Sequence, residues 1–435
     1  MKKQLLSLCI GALCVPSVWA ISIEEAVTKG LTTSPEVKEV VESYNARLSI
    51  VDQATADYLP SLDLSGEVGY QRRERDREIA STTEELTGRQ ASLRLRQLIF
   101  DGFGVSSNID RTEFEAEAER YRVLYFTENY ALKVTQAYLD VIREQTLLGL
   151  AQKNLETHLR YQKDITKKTK SGLGSSADVS QINGRVARAQ ANVLSAQNNV
   201  SDVTDQYLRL VNEMPGNLIQ PDVDDRFIPA SLEAALELAK QHNPTVSSSL
   251  KDVEAAHSQY DASKSGYYPE IDVYVEQSFS KDYDGVRGTD DEFSAMLRLN
   301  YNLFGGGRDQ ARVSESASRI QQAKNISANT VRQVEESTRL SWSAAEILEQ
   351  QKGYYQQHVE QSFKTLEAYK QQFKLGSRTL LDVLNTENEL FEARKSYVAA
   401  DYDHLEAQYR LINSTGKLLD ALYVTVPKDW KAGEK

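Results

Sequence analysis

Apolar residues along this chain follow two periods, and each period occurs twice. Phe293, Ala295, Leu297, Leu299, Tyr301 and Leu303 alternate with Ser294, Met296, Arg298, Asn300 and Asn302. A period of two predicts a strand with one apolar and one more polar face. Its predicted partner sets Ile271, Val273 and Val275 against Asp272, Tyr274 and Glu276. The same design occurs earlier, with Leu62, Leu64 and Val68, then Leu93 and Leu95 flanked by Arg94 and Arg96. Between paired strands, Arg72 to Gly88 and Lys281 to Asp290 are rich in charge and turn formers, which predicts exposed hairpin loops.

The second period is helical. Val179, Ile182, Val186, Ala189, Val193, Ala196, Val200, Val203, Tyr207 and Leu210 keep a three-four spacing, the mark of a coiled-coil seam. A matching seam runs through Val383, Leu390, Ala393, Tyr397, Ala400, Ala407 and Leu411, interrupted by Thr386 and His404. Ahead of the first seam, Val105 to Lys170 holds no proline and only one glycine, Gly149. A single helix of about 65 residues there would extend roughly 100 Å.

Proline positions show that these patterns are copies of one unit. None of the nine prolines falls between Ser61 and Met214 or between Glu270 and Val426. Ser34-Pro35 recurs as Asn243-Pro244, and Tyr58-Leu59-Pro60 as Tyr267-Tyr268-Pro269, both at an offset of 209. After a second loop shorter by five residues the offset becomes 204, pairing Phe100-Asp101-Gly102 with Phe304-Gly305-Gly306, and Gly172 and Asp178 with Gly376 and Asp382. Each copy is predicted as helix, strand, loop, strand, long helix, turn, helix. The chain therefore divides into a first repeat over 21–214, a linker over 215–230 holding Pro215, Pro221 and Pro229, a second repeat over 231–425, and a tail over 426–435. The fold class is mainly α with a small β part: long antiparallel coiled-coil hairpins plus four strands.

Residues 1–20 carry a different signal. Met1-Lys2-Lys3 precedes the apolar run Leu5 to Val15, and Val18-Trp19-Ala20 suits a secretory cleavage site. The run is too short to span a bilayer, which needs roughly 20 residues. Both cysteines, Cys9 and Cys14, lie inside it, so the exported chain has no thiol, disulfide or cysteine metal site. The formal charge of -12 becomes about -14 without Lys2 and Lys3, which argues against nucleic acid as a partner. Nothing after Ala20 resembles a transmembrane helix, so membrane insertion would require a closed β-barrel. Four strands cannot enclose a useful pore, since even a small barrel needs about eight.

The pattern resembles the TolC family of outer-membrane efflux and secretion channels across essentially the whole exported chain. Ser171-Gly172-Leu173 and Leu375-Gly376-Ser377-Arg378-Thr379-Leu380-Leu381-Asp382-Val383-Leu384 look like that family's two helix-turn-helix tips. Leu98-Ile99-Phe100-Asp101-Gly102 and Asn302-Leu303-Phe304-Gly305-Gly306 look like its barrel-to-helix junctions. The resemblance implies a homotrimer, in which three chains each give four strands to a twelve-stranded barrel in outer-membrane lipid, continued by a helical tunnel across the periplasm of a Gram-negative bacterium. It also implies docking to a periplasmic adaptor (membrane fusion) protein and an inner-membrane ABC or proton-driven transporter.

By position, Asp178, Arg378 and Asp382 match residues that hold or ring the periplasmic gate, with Asn385 where members often carry a second aspartate. Gly172, Leu173, Leu375 and Gly376 are the implied adaptor-docking tips. A ring of three Asp382 side chains would attract cations. Helix capping is the alternative reading for Asp178 and Asp382, a solvated surface charge for Arg378, and a tight turn for the glycines.

Catalytic chemistry is not encoded in any specific signature. His158, His242, His257, His358 and His404 lack metal-ligand spacing, and Gly305-Gly306-Gly307 lacks the lysine and hydroxyl of a phosphate loop. The expectation is a passive duct without cofactors, serving type I protein secretion, with small-molecule efflux as the alternative. A soluble periplasmic coiled-coil adaptor is the contrasting class, against which the four alternating strands count.

Overall fold

A computed structural model describes residues 20–77, 80–172 and 174–427. The predicted leader, apart from Ala20, thus lies outside the described residues, as do Leu173 and the tail beyond Pro427. In chain order the elements are β1 (Ala20–Ile21), α1 (Ile23–Thr33), α2 (Pro35–Ala56), β2 (Ser61–Arg77), β3 (Ala80–Phe100), α3 (Gly104–Lys170), α4 (Ser176–Val211) and β4 (Asn217–Leu218). There follow α5 (Leu232–His242), α6 (Pro244–Ser263), β5 (Glu270–Lys281), β6 (Thr289–Asn300), α7 (Arg308–Lys374), α8 (Leu380–Ser414) and α9 (Leu418–Ala421).

The repeat offsets are kept in the elements. α3 and α7 both run for 67 residues and start 204 positions apart, while α1 and α5, and α2 and α6, start 209 apart. Local chemistry sets these starts. Val37 N donates to Ser34 Oγ at 3.4 Å and Thr245 N to Asn243 Oδ1 at 3.0 Å. In each case a proline follows the cap, at a position where the missing N–H costs nothing.

The chain forms two compact units. One gathers the described residues up to Val37 with Thr127–Ala239 and Ser337–Pro427; the other gathers Lys38–Phe126 and Lys240–Glu336. The second unit holds an antiparallel sheet in the order β2-β3-β5-β6. Its register pairs Leu62 with Leu95, Leu95 with Val275 and Val273 with Leu297, so the half of one face nearer the helices is largely apolar. Leu64, Val68 and Leu297 on that face are 79%, 78% and 71% exposed.

The first predicted loop is corrected by this sheet. Arg72 to Gly88 is mostly strand, because β2 and β3 stay paired out to Arg77 and Ala80. Arg72 and Arg73 stand opposite Glu85 and Glu84, and Arg72 and Glu85 form an ion pair at 3.8 Å. Composition alone could not reveal that pairing. The second loop is smaller than expected, with Lys281, Thr289 and Asp290 already in strands.

A bulge between Leu98 and Phe100 ends the β3 ladder, and Phe100, Phe103 and Tyr268 meet edge-to-face beyond it, with centroids 5.5 to 6.3 Å apart. Gly102 must be glycine for two reasons. Its φ is +72°, and a Cβ would lie 2.6 Å from Tyr268 Cβ. Asp101 then starts α3 by accepting from Gly104 N at 3.1 Å and Val105 N at 2.6 Å.

In the first unit, the segment predicted as a linker contains β4, which pairs in parallel with β1. The Tyr138 hydroxyl joins Ile21 of β1 to Ile219 just past β4, 2.8 Å from Ile21 O, 2.6 Å from Ile219 O and 2.9 Å from Ile219 N. Burial pushes its pKa up to about 12. Glu128, 7% exposed, accepts from Leu418 N at 3.0 Å and Leu419 N at 3.4 Å, and so caps α9.

Candidate functional site

The two helical turns are built alike. Gly172 and Gly376 take φ of +77° and +79°, and at neither would a Cβ meet a heavy atom within 4 Å. The left-handed turn alone therefore asks for glycine. Ser175 and Thr379 then cap α4 and α8 in reciprocal boxes with Asp178 and Asp382. Ser175 N donates to Asp178 Oδ2 at 3.4 Å, and Ala177 N donates to Ser175 Oγ at 3.1 Å. In the second copy, Thr379 N and Oγ1 donate to Asp382 Oδ2 at 3.1 and 2.8 Å, and Asp382 N donates back at 3.3 Å. The Thr379 hydroxyl, then its N–H, hold the Asp382 carboxyl below the usual carboxylate range, and Arg378 pulls the same way.

Capping satisfies helix-start amides that would otherwise lack partners. Within one chain, then, both aspartates have a structural task that uses Oδ2. Arg378 is engaged elsewhere: its Nε donates to Gln372 Oε1 at 3.1 Å, and its guanidinium lies 4.3 Å from the Tyr369 ring centroid. Leu375 at the second turn is 84% exposed.

Asn385 is joined to a residue the sequence reading passed over. Arg185 Nη2 on α4 donates to Asn385 Oδ1 on α8 at 2.7 Å. Nearby, Glu387 Oε1 takes Tyr161 OH at 3.3 Å and faces Lys370 Nζ at 3.1 Å, linking α3, α7 and α8. Burial raises the Tyr161 pKa, so the phenol stays a neutral donor. Ile165, Ile182, Leu380 and Leu384 form the apolar core beside this network. Glu387 sits between Val383 and Leu390 at four-three spacing, a charged residue in a seam, and that was its available signal.

In the sheet unit, the polar face is laced by ion pairs. Arg94 reaches Glu276 through two bonds of 3.1 Å, and Arg96 reaches Asp272 at 2.9 Å and Glu270 at 2.8 Å. Tyr274 lies between Arg96 and Arg298, with guanidinium carbons 5.9 and 4.2 Å from its ring centroid. The turn between β5 and β6 folds over this face: Tyr283 OH donates to Glu67 Oε2 at 2.9 Å, and Arg73 holds the carbonyl and carboxylate of Asp284.

Of the histidines, His158 is 3% exposed, and burial lowers its pKa. His358 lies 3.0 Å from Glu389. Among the described residues no group of acidic, histidine or cysteine side chains could hold a metal, and no helix is long and apolar enough to cross a membrane.

A sheet with one exposed apolar face, joined to long helical hairpins, narrows the comparison. The profile of the family described as "Outer membrane efflux protein" matches residues 27–212 and 235–417. The chain belongs to that family. Outer membrane efflux protein BepC of Brucella suis is 25% identical over 406 residues, covering 91% of this chain and 86% of BepC. Outer membrane protein TolC of Escherichia coli is 23% identical, with 89% and 80% covered. Alkaline protease secretion protein AprF of Pseudomonas aeruginosa is 22% identical, with 99% and 92% covered.

Among solved structures, a membrane protein from Pseudomonas aeruginosa superposes with a TM-score of 0.79 at 17% identity, covering 90% of this chain and 93% of its own. That likeness shares the fold. Membership places this outer membrane efflux protein in the outer membrane as a channel of TolC type, a passive conduit and not an enzyme.

Proposed function

We propose that three copies of this chain close their sheets into one twelve-stranded barrel, continued by a helical tunnel, as the exit duct of a tripartite export system. One observation carries the reading. Within a chain, β2 and β6 are edge strands of a sheet whose one face is apolar and exposed. In lipid every backbone N–H and C=O needs a partner, so β6 of one copy must pair with β2 of the next until the ring closes. Transport energy would come from an inner-membrane ABC or proton-driven transporter, coupled through a periplasmic adaptor at the two turns.

Type I protein secretion is the route we favour, supported by the nearly end-to-end match to AprF. Small-molecule efflux is the second reading, favoured by the higher identity to BepC. The tips serve both. Three Asp382 side chains around the axis would present their remaining oxygens to the passage, with Asp178, Arg378 and Asn385 beside them, while Gly172, Leu173, Leu375 and Gly376 would face the adaptor.

Two measurements test the reading. Protein extracted from outer membranes in mild detergent is expected to have three times the mass of one exported chain and to conduct in a planar bilayer; a non-conducting monomer refutes the duct. A deletion strain is expected to lose secretion of a large protein, and raised drug sensitivity with intact secretion would instead establish efflux.

A further inference from the structure

We infer that Arg89 and Lys281 form a phosphate-binding pair on the outside of the barrel, taking a phosphorylated glycolipid of the outer leaflet; this rests on the membrane-inserted barrel proposed above. The two residues are direct cross-strand partners on β3 and β5, and Val68 and Thr289 complete their row across the sheet. Direct partners project to the same side, with Cβ atoms about 5 Å apart. That side is the apolar one.

Counting away from the helical end, the positions of β3 on this face are Gln97, Leu95, Leu93 and Ala91, and then Arg89. Those of β5 are Val273, Val275, Gln277 and Phe279, and then Lys281. Each cation is therefore the first charge on its strand's apolar face. On neighbouring β2 the apolar-face run from Leu62 to Tyr70 extends roughly 26 Å along the strand. At a tilt of about 40° this spans roughly 20 Å, most of an apolar band about 25 Å tall. The Arg89–Lys281 row lies near its upper edge, on the side of the strand hairpins.

Like charges directly opposite one another destabilise a sheet, so this pair needs an explanation. On this face Glu85 pairs with Arg72, and Asp291, diagonal to Lys281, accepts from Gln277; in the adjoining turn Asp284 is held by Arg73. Both cations are exposed, and among the described residues neither forms an ion pair. A phosphate bridging them turns the repulsion into two charge-assisted hydrogen-bonded contacts. Since the chain carries a formal charge of -12, attraction for anions is local to this row. A lipid supplies what the row lacks, because its acyl chains lie along the apolar face while its headgroup phosphate stands at the boundary.

The test uses the purified full chain in mild detergent, incubated with diphosphorylated lipid A, its dephosphorylated form, or inorganic phosphate, with retained lipid counted by native mass spectrometry. The wild type is expected to retain the diphosphorylated probe in a salt-sensitive manner. The double variant R89Q/K281Q is expected to retain roughly tenfold less, while R89K, which keeps the charge, and R319Q, on a helix away from the sheet, retain it as the wild type does. All variants are expected to insert into vesicles and conduct normally. Equal retention by wild type and double variant overturns the inference, as does retention by the wild type of the dephosphorylated lipid or of inorganic phosphate equal to that of the diphosphorylated probe. A wild type that neither inserts nor conducts overturns the barrel reading and the lipid site with it.

Discussion

Arg185 on α4 donates to Asn385 on α8 at 2.7 Å, so a residue of the first repeat is held by one of the second, 200 positions away. The bond is exposed and worth about 0.5–1.5 kcal/mol. Arg185→Ala is expected to raise single-channel open probability at the periplasmic end. Asn385→Asp makes the contact charge-assisted and is expected to lower it. Planar-bilayer recording of both variants checks this, and identical gating would leave the bond a role in stability alone.

Asp382 combines a cap with a proposed place in the passage. Its carboxyl is held below the usual range by Thr379, so the cap's stabilisation is present above the unfolded-state value and is lost as pH falls through the lower folded one. Asp382→Ala is expected to weaken cation preference and remove that acid-side loss. Asp382→Asn keeps a capping oxygen but no titratable group, so it should lose the cation preference and the acid-side dependence while keeping the cap's stabilisation at neutral pH. Reversal potentials in a salt gradient separate the two roles.

Ser175→Ala offers a cleaner view of capping alone. Loss of the hydroxyl that accepts from Ala177 N should cost about 1 kcal/mol, while Ser175→Gly should cost only a few tenths. Hydrogen exchange at the first turn of α4 is the measurement. Equal exchange in both variants would count against the cap.

Glu128 carries the opposite pH sign. Burial raises its pKa to about 7, opposed by the Leu419 and Leu418 amides. The folded state therefore holds a proton that the unfolded chain has lost, and stability is greatest below the unfolded-state pKa and declines as pH rises to about 7. The window corresponds to roughly 3 kcal/mol at 1.36 kcal/mol per unit. Glu128→Gln keeps an acceptor for α9 and should flatten melting midpoints between acid and neutral pH; an unchanged slope would assign the dependence to other groups.

Tyr138→Phe removes the only hydroxyl that meets both Ile21 and Ile219 among the described residues. Loss of these part-buried hydrogen bonds should cost about 0.5–1.5 kcal/mol. Denaturant midpoints report it, and a protease cut near Ile219 should appear earlier than in wild type.

Much of this fold was legible because the repeats use long-range punctuation. Prolines at the helix and strand starts, glycines at the two turns and the shift from 209 to 204 located every large element. The extension of β2 and β3 was not legible, since Arg72 and Glu85 look like loop residues until they face each other. At the tips, Asp178, Arg378, Asp382 and Asn385 could be picked out by position, yet their partners could not. Gln372 and Tyr369 precede Arg378 within its own hairpin, whereas Arg185 and Tyr161 reach Asn385 and Glu387 only through packing of distant helices. Sequence spacing carries helix faces well and carries pairings between remote helices poorly.

The equal lengths of α3 and α7 make the chain a pair of matched rulers. Five residues were gained or lost where the two strand hairpins differ, and none where the long helices run. Adding one heptad to a single hairpin would push its turn roughly 10 Å beyond the other. The pair would then no longer end level, so a change in reach must enter both halves of the gene together, in whole heptads that keep the seams in phase.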